Sequence, residues 1–412
     1  MKILRPTAYY EPEQFSSSHL DRDLEEAFIQ AGFESIIVTP TPTRGIIKKV
    51  RNTYKKKKYE QKFDGKVVIF RVPIFKEGRN PVCRAWRYFL SSLKIYRKCI
   101  QQQNIDIILV GSTPPTQGVL AAKIAKKLKV PFIYNLQDIF PDSLVNAKMA
   151  KKGSLVWKIG RTIENYSYKQ AEKIIVISEE FKKNIINKGV PEEKIELIYN
   201  WVDTKQVFPV TRSQNPLFDR YGLSREHFYV TYCGNIGHTQ NLDLLLSVAK
   251  MCDSEPLISF ILFGEGSYTE EFDRKIKTDN CNNVLRFPFQ PYEDIANVFS
   301  LGDVGLIISK PHISQNSVPS KTWSIMAAAR PVLASFDLGS TLDKVITENE
   351  CGVVVEADNP DLLYSAILEL FYSRNNLSQM GLNGRKFVMK ELDKDLCVSK
   401  YIEVIKSVSS KR

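Results

Sequence analysis

The chain has 412 residues, 43% of them hydrophobic and 25% charged, a balance typical of globular proteins with room for two or three domains. No apolar run approaches the roughly 18 residues of a membrane span and the N-terminus MKILRPTAYY lacks a signal-peptide stretch, so we expect a cytoplasmic protein. The cysteines form no C-x-x-C pair and no cluster with histidine, so neither a structural zinc nor a disulfide framework is indicated.

Strand-like and helical patterns alternate along the first half of the chain. The strand-like runs are MKILRPT, SIIVTP, KVVIFRVP, IDIILVGS, PFIYNLQ and KIIVIS. The helical patterns between them cover residues 17–30, 83–103, 116–128, 155–169 and 179–188. This alternation predicts a parallel sheet with helices on both faces.

Basic residues are concentrated between Arg44 and Lys98, a segment with eighteen Lys or Arg and three acidic residues in a chain of net charge +12. An apolar stripe of Trp86, Phe89, Leu90, Leu93 and Tyr96 recurs there at helical spacing, which favours a basic amphipathic helix on an anionic membrane surface. The residues expected to form this membrane patch are Arg51, Lys55, Lys56, Lys57, Lys58, Arg84, Trp86, Arg87 and Arg97. One alternative is a solvated charged face over a buried apolar stripe. Nucleic acid is another, although no binding motif accompanies the charge.

A second strand series begins after the segment IYNWVDTKQVFP. Its runs are YVTYCGN, ISFILFGEG, NNVLRFP, VGLIIS, RPVLASF and GVVVEA. We therefore predict an α/β chain of two Rossmann-like parallel-sheet domains, residues 1–203 and 204–384, with a C-terminal helix at about residues 385–412 that can pack back on the first domain. Ligands of open α/β sheets bind beyond the carboxyl ends of the strands, so two facing sheets would hold a site in a cleft.

Glycine follows two strands of the second half, in GNIGHTQN and GEGSYTEEF. Backbone N–H groups at Gly234 and Gly237 can approach a pyrophosphate, although glycine after a strand is also a common turn. A third strand end leads into SVPSKTWSIMAAARP, where Ser320 offers an N-cap oxygen and the alanines allow close packing. Lys321 in the first turn opposes the helix dipole unless an anion such as phosphate binds there. Three such strand ends favour a nucleotide site.

Polar loops also follow strands of the first half, in YYEPEQFSSSHLDRD, GSTPPT and NLQDIFPDS. Their side chains, including Asp138 and Asp142, are candidates for holding a hydroxyl-rich substrate, or they are plain helix caps and solvated turns. His19 and His238 can face a cleft or serve structure. No Walker lysine motif, no G-x-G-x-x-G dinucleotide fingerprint with a downstream acid, no G-x-S-x-G elbow and no H-E-x-x-H is present.

In combination and order these motifs resemble the family 4 retaining glycosyltransferases of GT-B fold, and within them the bacterial surface-polysaccharide branch that includes WbuB-like fucosamine transferases. The resemblance covers almost the whole chain. The matching motifs are YYEPE, GSTPPT, QDIFPDS, IVIS, IYNWVD, CGNIGHTQNL, FGEG, SVPSK, AAARPVLAS and CGVVVEADNPDLL.

The resemblance implies a nucleotide-sugar donor, expected to be a UDP-sugar, on the C-terminal half and an acceptor on the N-terminal half, with no metal or cofactor. The donor residues it implies are Gly234, Asn235, Gly237, His238, Gln240, Gly264, Arg286, Ser320, Lys321 and Ser324. The acceptor residues are Glu13, Ser16, Ser17, His19, Thr113 and Asp138. Lys321 and Asp138 are the catalytic candidates, and the expected acceptor is a polyprenyl-diphosphate-linked glycan at the membrane.

The chain departs from the family pattern at two places. Many family 4 enzymes have an arginine and a lysine in the glycine loop, where this chain has Asn235 and Gln240. Many also carry two glutamates eight residues apart, where this chain has Asn316 and Ser324. With both loop cations absent, Lys321 becomes a leading candidate for neutralising the diphosphate, helped by the helix dipole, with Arg286 as a candidate second cation. A nucleotide-sugar epimerase of similar shape and a non-catalytic membrane- or polyanion-binding protein are the rival interpretations.

Overall fold

The computed structural model describes residues 1–13, 18–44, 46–77, 80–146, 150–237, 240–314 and 319–410. The chain divides into two compact units, Met1–Tyr199 with Cys397–Arg412, and Asn200–Leu396. The division falls four residues before the predicted boundary at 203. The C-terminal segment that belongs to the first unit begins at Cys397 rather than near residue 385.

The N-terminal unit is built on an eight-stranded sheet in the order β3-β4-β2-β1-β5-β6-β7-β8. Its strands are β1 Lys2–Pro6, β2 Glu34–Pro40, β3 Tyr59–Lys62, β4 Val67–Val72, β5 Ile107–Gly111, β6 Phe132–Leu136, β7 Lys173–Val176 and β8 Ile195–Leu197. Its helices are α1 Ser18–Gln30, α2 Lys48–Lys56, α3 Pro81–Cys99, α4 Gln117–Leu128, α5 Asp142–Asn146, α6 Leu155–Gln170 and α7 Glu179–Asn187.

Every strand pair of this sheet is parallel except the pair of β3 with β4 at the edge. The sequence did not predict β3, because YEQK sits in the most basic stretch of the chain and has no apolar alternation. Glu60 on β3 is nevertheless buried, and its carboxylate pairs with Arg71 of β4 and with Lys57. Ion pairing of Glu60 therefore adds to the backbone pairing with β4 and to the contact between the Tyr59 and Phe70 rings.

The C-terminal unit is built on a six-stranded parallel sheet in the order β11-β10-β9-β12-β13-β14. Its strands are β9 Phe228–Cys233, β10 Ile258–Phe263, β11 Val284–Phe287, β12 Val304–Ile308, β13 Val332–Phe336 and β14 Gly352–Glu356. Its helices are α8 Leu217–Arg220, α9 Leu242–Met251, α10 Thr269–Thr278, α11 Ile295–Phe299, α12 Lys321–Ala327, α13 Thr341–Glu348, α14 Pro360–Tyr372 and α15 Arg374–Glu391. The last helix, α16 Lys394–Ser409, passes from this unit into the other.

Each unit has an apolar core of its own between its sheet and its helices. The strands that form these cores are rich in buried Val, Ile, Leu and Phe. This agrees with the continuous apolar runs of the sequence, which predicted parallel sheets covered on both faces. No helix in the described ranges is long and apolar enough to cross a membrane.

Candidate functional site

The loops after β9 and β10 meet backbone to backbone. The Gly234 N–H donates to the Phe263 carbonyl at 2.9 Å, and a Cβ added to Gly264 would lie 1.9 Å from the Gly234 carbonyl oxygen. Gly234 itself has φ +149, which favours glycine. Glycine at 264 is therefore needed for close approach of the two loops. The expectation that the Gly234 N–H serves a pyrophosphate is wrong in this structure, because a carbonyl already takes that donor.

Lys321, the first residue of α12, lies beside this loop. Its Nζ is 3.7 Å from the centroid of the Tyr232 ring, and a Cβ on Gly234 would lie 3.4 Å from it. Within the described part of the chain the ammonium has no hydrogen bond and no carboxylate partner. Burial lowers the pKa of Lys321 to about 7, since a desolvated ammonium without a counter-ion loses its proton readily.

Tyr232 is a residue that the sequence reasoning missed. Tyr232 is fully buried, and the Lys321 Nζ lies over the face of its ring. The Tyr232 hydroxyl donates to the Asn235 carbonyl at 2.8 Å. A cation over a tyrosine face is attracted by the ring quadrupole, which offsets part of the desolvation. A tyrosine in an apolar strand gives no signal of this kind in the sequence.

Ser320 does not cap α12 as expected. Its backbone is already helical, with φ -57 and ψ -24, and its side chain accepts no hydrogen bond from the helix. An N-cap serine needs an extended backbone to reach the following N–H groups, so the first turn is closed by Pro319 and Ser320 carbonyls instead. Ser324 lies half-buried one turn further on. The proposed donor contacts of Ser320 and Ser324 stay predictions.

The alanine-rich end of α12 packs closely, as predicted. Ala327 and Ala328 are fully buried, and a Cβ added to Gly381 of α15 would lie 2.1 Å from the Ala329 carbonyl oxygen. Arg330 does more than end the helix. Its guanidinium donates to the Ser300 and Val210 carbonyls at 2.8 and 2.9 Å, which ties α12 to the segment that follows the predicted domain join.

The remaining glycine-loop residues are neutral and partly bonded to each other. The Asn235 amide donates to the Gln240 side-chain oxygen at 3.3 Å, next to Gly237. The Gly237 N–H has no acceptor among the described residues. His238 and Asn316 lie outside the described residues. The described residues of the loop can therefore offer amide donors but no positive charge.

Arg286 is not the spare cation that was expected. Its guanidinium forms two contacts with the Asp273 carboxylate, one of them at 2.8 Å between Nη2 and Oδ2, and Nη1 donates to the Gly264 carbonyl at 3.4 Å. The Asp273 carboxylate offsets the charge of the guanidinium. The sequence gave no sign of this pair, because Asp273 lies on α10 and Arg286 on β11. Arg286 thus supports the Gly264 backbone, and of the two predicted cations Lys321 is the one without a carboxylate partner among the described residues.

In the N-terminal unit, one hydroxyl joins the loops after β5 and β6. Ser112 accepts the N–H groups of Gln137 and Asp138 at 3.0 and 3.1 Å, so GSTPPT and QDIFPDS are held together. Burial raises the pKa of Asp138, partly offset by hydrogen bonds from Ser143 and Ile139. Thr113 is exposed beside them. A half-buried carboxyl with a raised pKa at a strand end is suited to proton transfer.

Glu13, a predicted acceptor residue, is bonded to the backbone of a neighbouring loop. It is buried, and its Oε1 accepts the backbone N–H groups of Thr43 and Arg44 at 2.6 and 2.8 Å. This carboxylate holds the loop after β2 in place. The sequence did not predict the contact, because its partners are thirty residues apart. His19 is half-buried, and burial lowers its pKa. The predicted acceptor residues Ser16 and Ser17 lie outside the described residues.

Arg87 must be removed from the predicted membrane patch. Its side chain is only 1% exposed. The guanidinium donates to the Phe75 carbonyl at 3.2 Å and to the Thr43 hydroxyl at 2.9 Å. The face of α3 toward the sheet is thus Arg87, Ser91, Ile95 and Cys99. The alternative of a buried apolar stripe holds only in part: Leu90 and Tyr96 are half-buried, with Tyr96 packed on the core, whereas Trp86, Phe89 and Leu93 are exposed.

The other cations of the patch lie at the surface. Arg51 is half-buried, and the rest are exposed, namely Lys55, Lys56, Lys57, Lys58, Arg84 and Arg97. The rings of Trp86 and Phe89 stack on each other with centroids 5.5 Å apart, and Trp86 is 57% exposed.

Comparison with known sequences decides the family. The profile "Glycosyltransferase Family 4" matches residues 22–206, and "Glycosyl transferases group 1" matches residues 213–387. The chain is a family 4 glycosyltransferase. The solved structures similar to this glycosyltransferase share the GT-B fold, so the predicted family and fold are confirmed.

Among curated relatives, the glycosyltransferase is 23% identical over 329 residues to the probable glycosyltransferase WbjE of Pseudomonas aeruginosa, covering 80% of each chain. It is 22% identical to the putative colanic acid biosynthesis glycosyl transferase WcaI of Escherichia coli K12, covering 98% of this chain and 100% of WcaI. Sucrose-phosphate synthase from Thermosynechococcus elongatus superposes over 100% of both chains with a TM-score of 0.78 at 14% identity. Anabaena HepE, solved with UDP, covers 99% of this chain and 100% of its own with a TM-score of 0.73 at 16% identity.

Proposed function

We propose that this glycosyltransferase moves a hexosyl or N-acetylhexosaminyl group, with retention of configuration, from a UDP-sugar to a hydroxyl of a polyprenyl-diphosphate-linked glycan in bacterial surface-polysaccharide synthesis. The name of WcaI, which aligns with almost the whole chain, supports the polysaccharide role. The UDP complexes of HepE, which share the fold, support the choice of nucleotide.

The unpaired ammonium of Lys321 carries the proposal. A structural lysine with Nζ this desolvated is expected to have a carboxylate partner, because an isolated buried charge is costly. Lys321 has instead the Tyr232 ring and the neighbouring Gly234 backbone. An arriving diphosphate supplies the missing counter-charge and raises the pKa of Lys321, so the cation forms where the donor binds.

The chemistry follows from where charge develops. As the bond between the anomeric carbon and the diphosphate breaks, negative charge grows on the leaving oxygen, and a fixed cation there lowers the barrier. The acceptor hydroxyl attacks the anomeric carbon from the side of the departing diphosphate, and a donor phosphate oxygen takes its proton. No protein nucleophile is needed on this route, and we propose no metal or cofactor because Lys321 supplies the charge.

We assign acceptor orientation, with assistance to proton removal, to Asp138. Ser112 fixes its backbone, and burial raises the pKa of its carboxyl toward the range in which proton exchange is efficient. Thr113 is exposed on the neighbouring loop and can donate a hydrogen bond to an acceptor hydroxyl.

We also propose that α3 holds the enzyme at the membrane that contains the acceptor. Trp86 and Phe89 lie in its first turns, and the Tyr88 hydroxyl is 2.6 Å from that of Tyr9, which follows β1. The exposed aromatic pair is therefore close to the carboxyl ends of the strands, where the acceptor loops begin. Exposed aromatics flanked by Arg84 and Lys94 match an anionic interface.

The proposal is tested by incubating the enzyme with radiolabelled UDP-glucose, UDP-galactose or UDP-N-acetylglucosamine, with and without a polyprenyl-diphosphate-linked sugar. Label from one donor should pass into the organic phase only when the acceptor is present, and the new linkage should have the donor's anomeric configuration by NMR. Conversion of the donor to an epimer without acceptor would instead establish an epimerase.

A further inference from the structure

The first turns of α6 expose an apolar cluster that the proposed function does not use. Leu155, Val156 and Ile159 are 75%, 55% and 53% exposed. The nearby Lys151, Lys152 and Lys158 are exposed as well. These six residues are called the α6 tip. The sequence contains no acidic residue between Asp142 and Glu164, so the charged residues next to the tip in sequence are all basic.

The acidic side chains nearest the tip in sequence are turned inward and paired. Glu164 is buried, accepts from the Lys188 ammonium at 2.8 Å and contacts Arg161. Asp142 takes the same ammonium at 2.7 Å. This internal pairing anchors α6 and leaves its outer surface with cations and apolar side chains.

The tip lies at the acceptor edge of the N-terminal sheet. Gly160 of α6 packs directly on Phe140 and Pro141, where an added Cβ would lie 2.7 Å from Pro141. Those residues follow Asp138 in the loop after β6. Helix α4 packs against both α3 and α6, so these helices belong to one layer. The exposed aromatic pair of α3 and the α6 tip both lie in first turns, at the carboxyl ends of the strands that precede them.

We infer that the α6 tip is a second membrane-binding surface, which enters the interface of an anionic bilayer alongside α3. This inference rests on the membrane association proposed above and adds a contact to it. The apolar side chains of the tip can enter the acyl-chain region of a bilayer, and the neighbouring lysines can bind its anionic headgroups. A protein partner fits less well, because lysine is depleted at protein interfaces. Two contacts on one layer also fix the orientation of the acceptor loops toward the membrane.

Vesicle flotation of the full chain tests the inference. The vesicles contain phosphatidylglycerol and phosphatidylcholine, with pure phosphatidylcholine as comparison. We expect Leu155→Ser with Ile159→Ser to lower partition into anionic vesicles by about ten-fold or more. Leu362→Ser is the matched control, since Leu362 is 44% exposed on α14, and it should bind like the wild type. Melting temperatures should match throughout, because all three side chains are at the surface.

A parallel variant, Trp86→Ser with Phe89→Ser, separates the two claims. If it loses binding while the tip variant does not, the inference about α6 is overturned and the α3 proposal stands. If the wild type does not float with anionic vesicles, both fail. If the tip variant turns a wild-type dimer into a monomer in sedimentation, the tip is a contact between copies and not a membrane surface.

Discussion

Replacing Lys321 with methionine separates donor binding from protein stability. Methionine nearly matches the lysine stem in length, and its sulfur can contact the Tyr232 ring on which the ammonium lies at 3.7 Å. A charge-assisted hydrogen bond to a phosphate contributes about 1.5–3 kcal/mol, so UDP should bind about 10–150-fold more weakly. The transition state carries more charge, and kcat/KM should fall about 10²–10³-fold. Because no partner charge is left behind, the melting temperature of the ligand-free enzyme should stay equal or rise.

Calorimetric titration with UDP at pH 6.5 and a thermal melt without ligand measure the two effects. Lys277→Met is the matched control, since Lys277 is exposed on α10 and its removal changes the net charge equally. That variant should bind UDP like the wild type. Unchanged UDP affinity in Lys321→Met would refute the phosphate role. A large fall in its melting temperature would show that Lys321 serves the fold instead.

Three further predictions follow from the same geometry. Lys321 has a pKa of about 7 in the ligand-free enzyme and must be charged to hold a diphosphate. The affinity for UDP-glucose should therefore be constant below pH 7 and fall by up to about ten-fold per pH unit above it. Lys321→Met should abolish this dependence on pH. Gly264→Ala should lower the melting temperature by roughly 2–10 °C, because its Cβ would meet the Gly234 oxygen at 1.9 Å, whereas Gly111→Ala, with open space, should not. Asp138→Asn should lower transfer about 10²-fold with UDP affinity intact, and equal turnover would remove Asp138 from the mechanism.

Features that depend on the order of neighbouring residues could be predicted from the sequence. Apolar runs separated by helical periods gave both parallel sheets, and the segment PSK before an alanine-rich helix singled out Lys321 for its unusual place in a first turn. Residues whose role depends on a distant partner were misjudged. Arg286 is held by Asp273, and Glu13 by backbone groups thirty residues away.

The basic segment shows a second limit. Sequence periodicity finds the stripe of Trp86, Phe89, Leu90, Leu93 and Tyr96 but does not say which face of α3 the sheet covers. The sheet covers the face with Arg87, because that guanidinium finds the Thr43 hydroxyl and the Phe75 carbonyl. Helix α2 was also missed, since nearly all its side chains are polar and it has no buried residue to create an apolar period.

A crystal structure of the enzyme with UDP is the most direct test of the central claim that Lys321 neutralises the donor diphosphate. The β-phosphate should lie within about 3 Å of the Lys321 Nζ, beside the loop that contains Gly234 and Gly237. UDP bound elsewhere on the chain, or a Lys321 ammonium that stays on the Tyr232 ring with no phosphate in reach, would contradict the account.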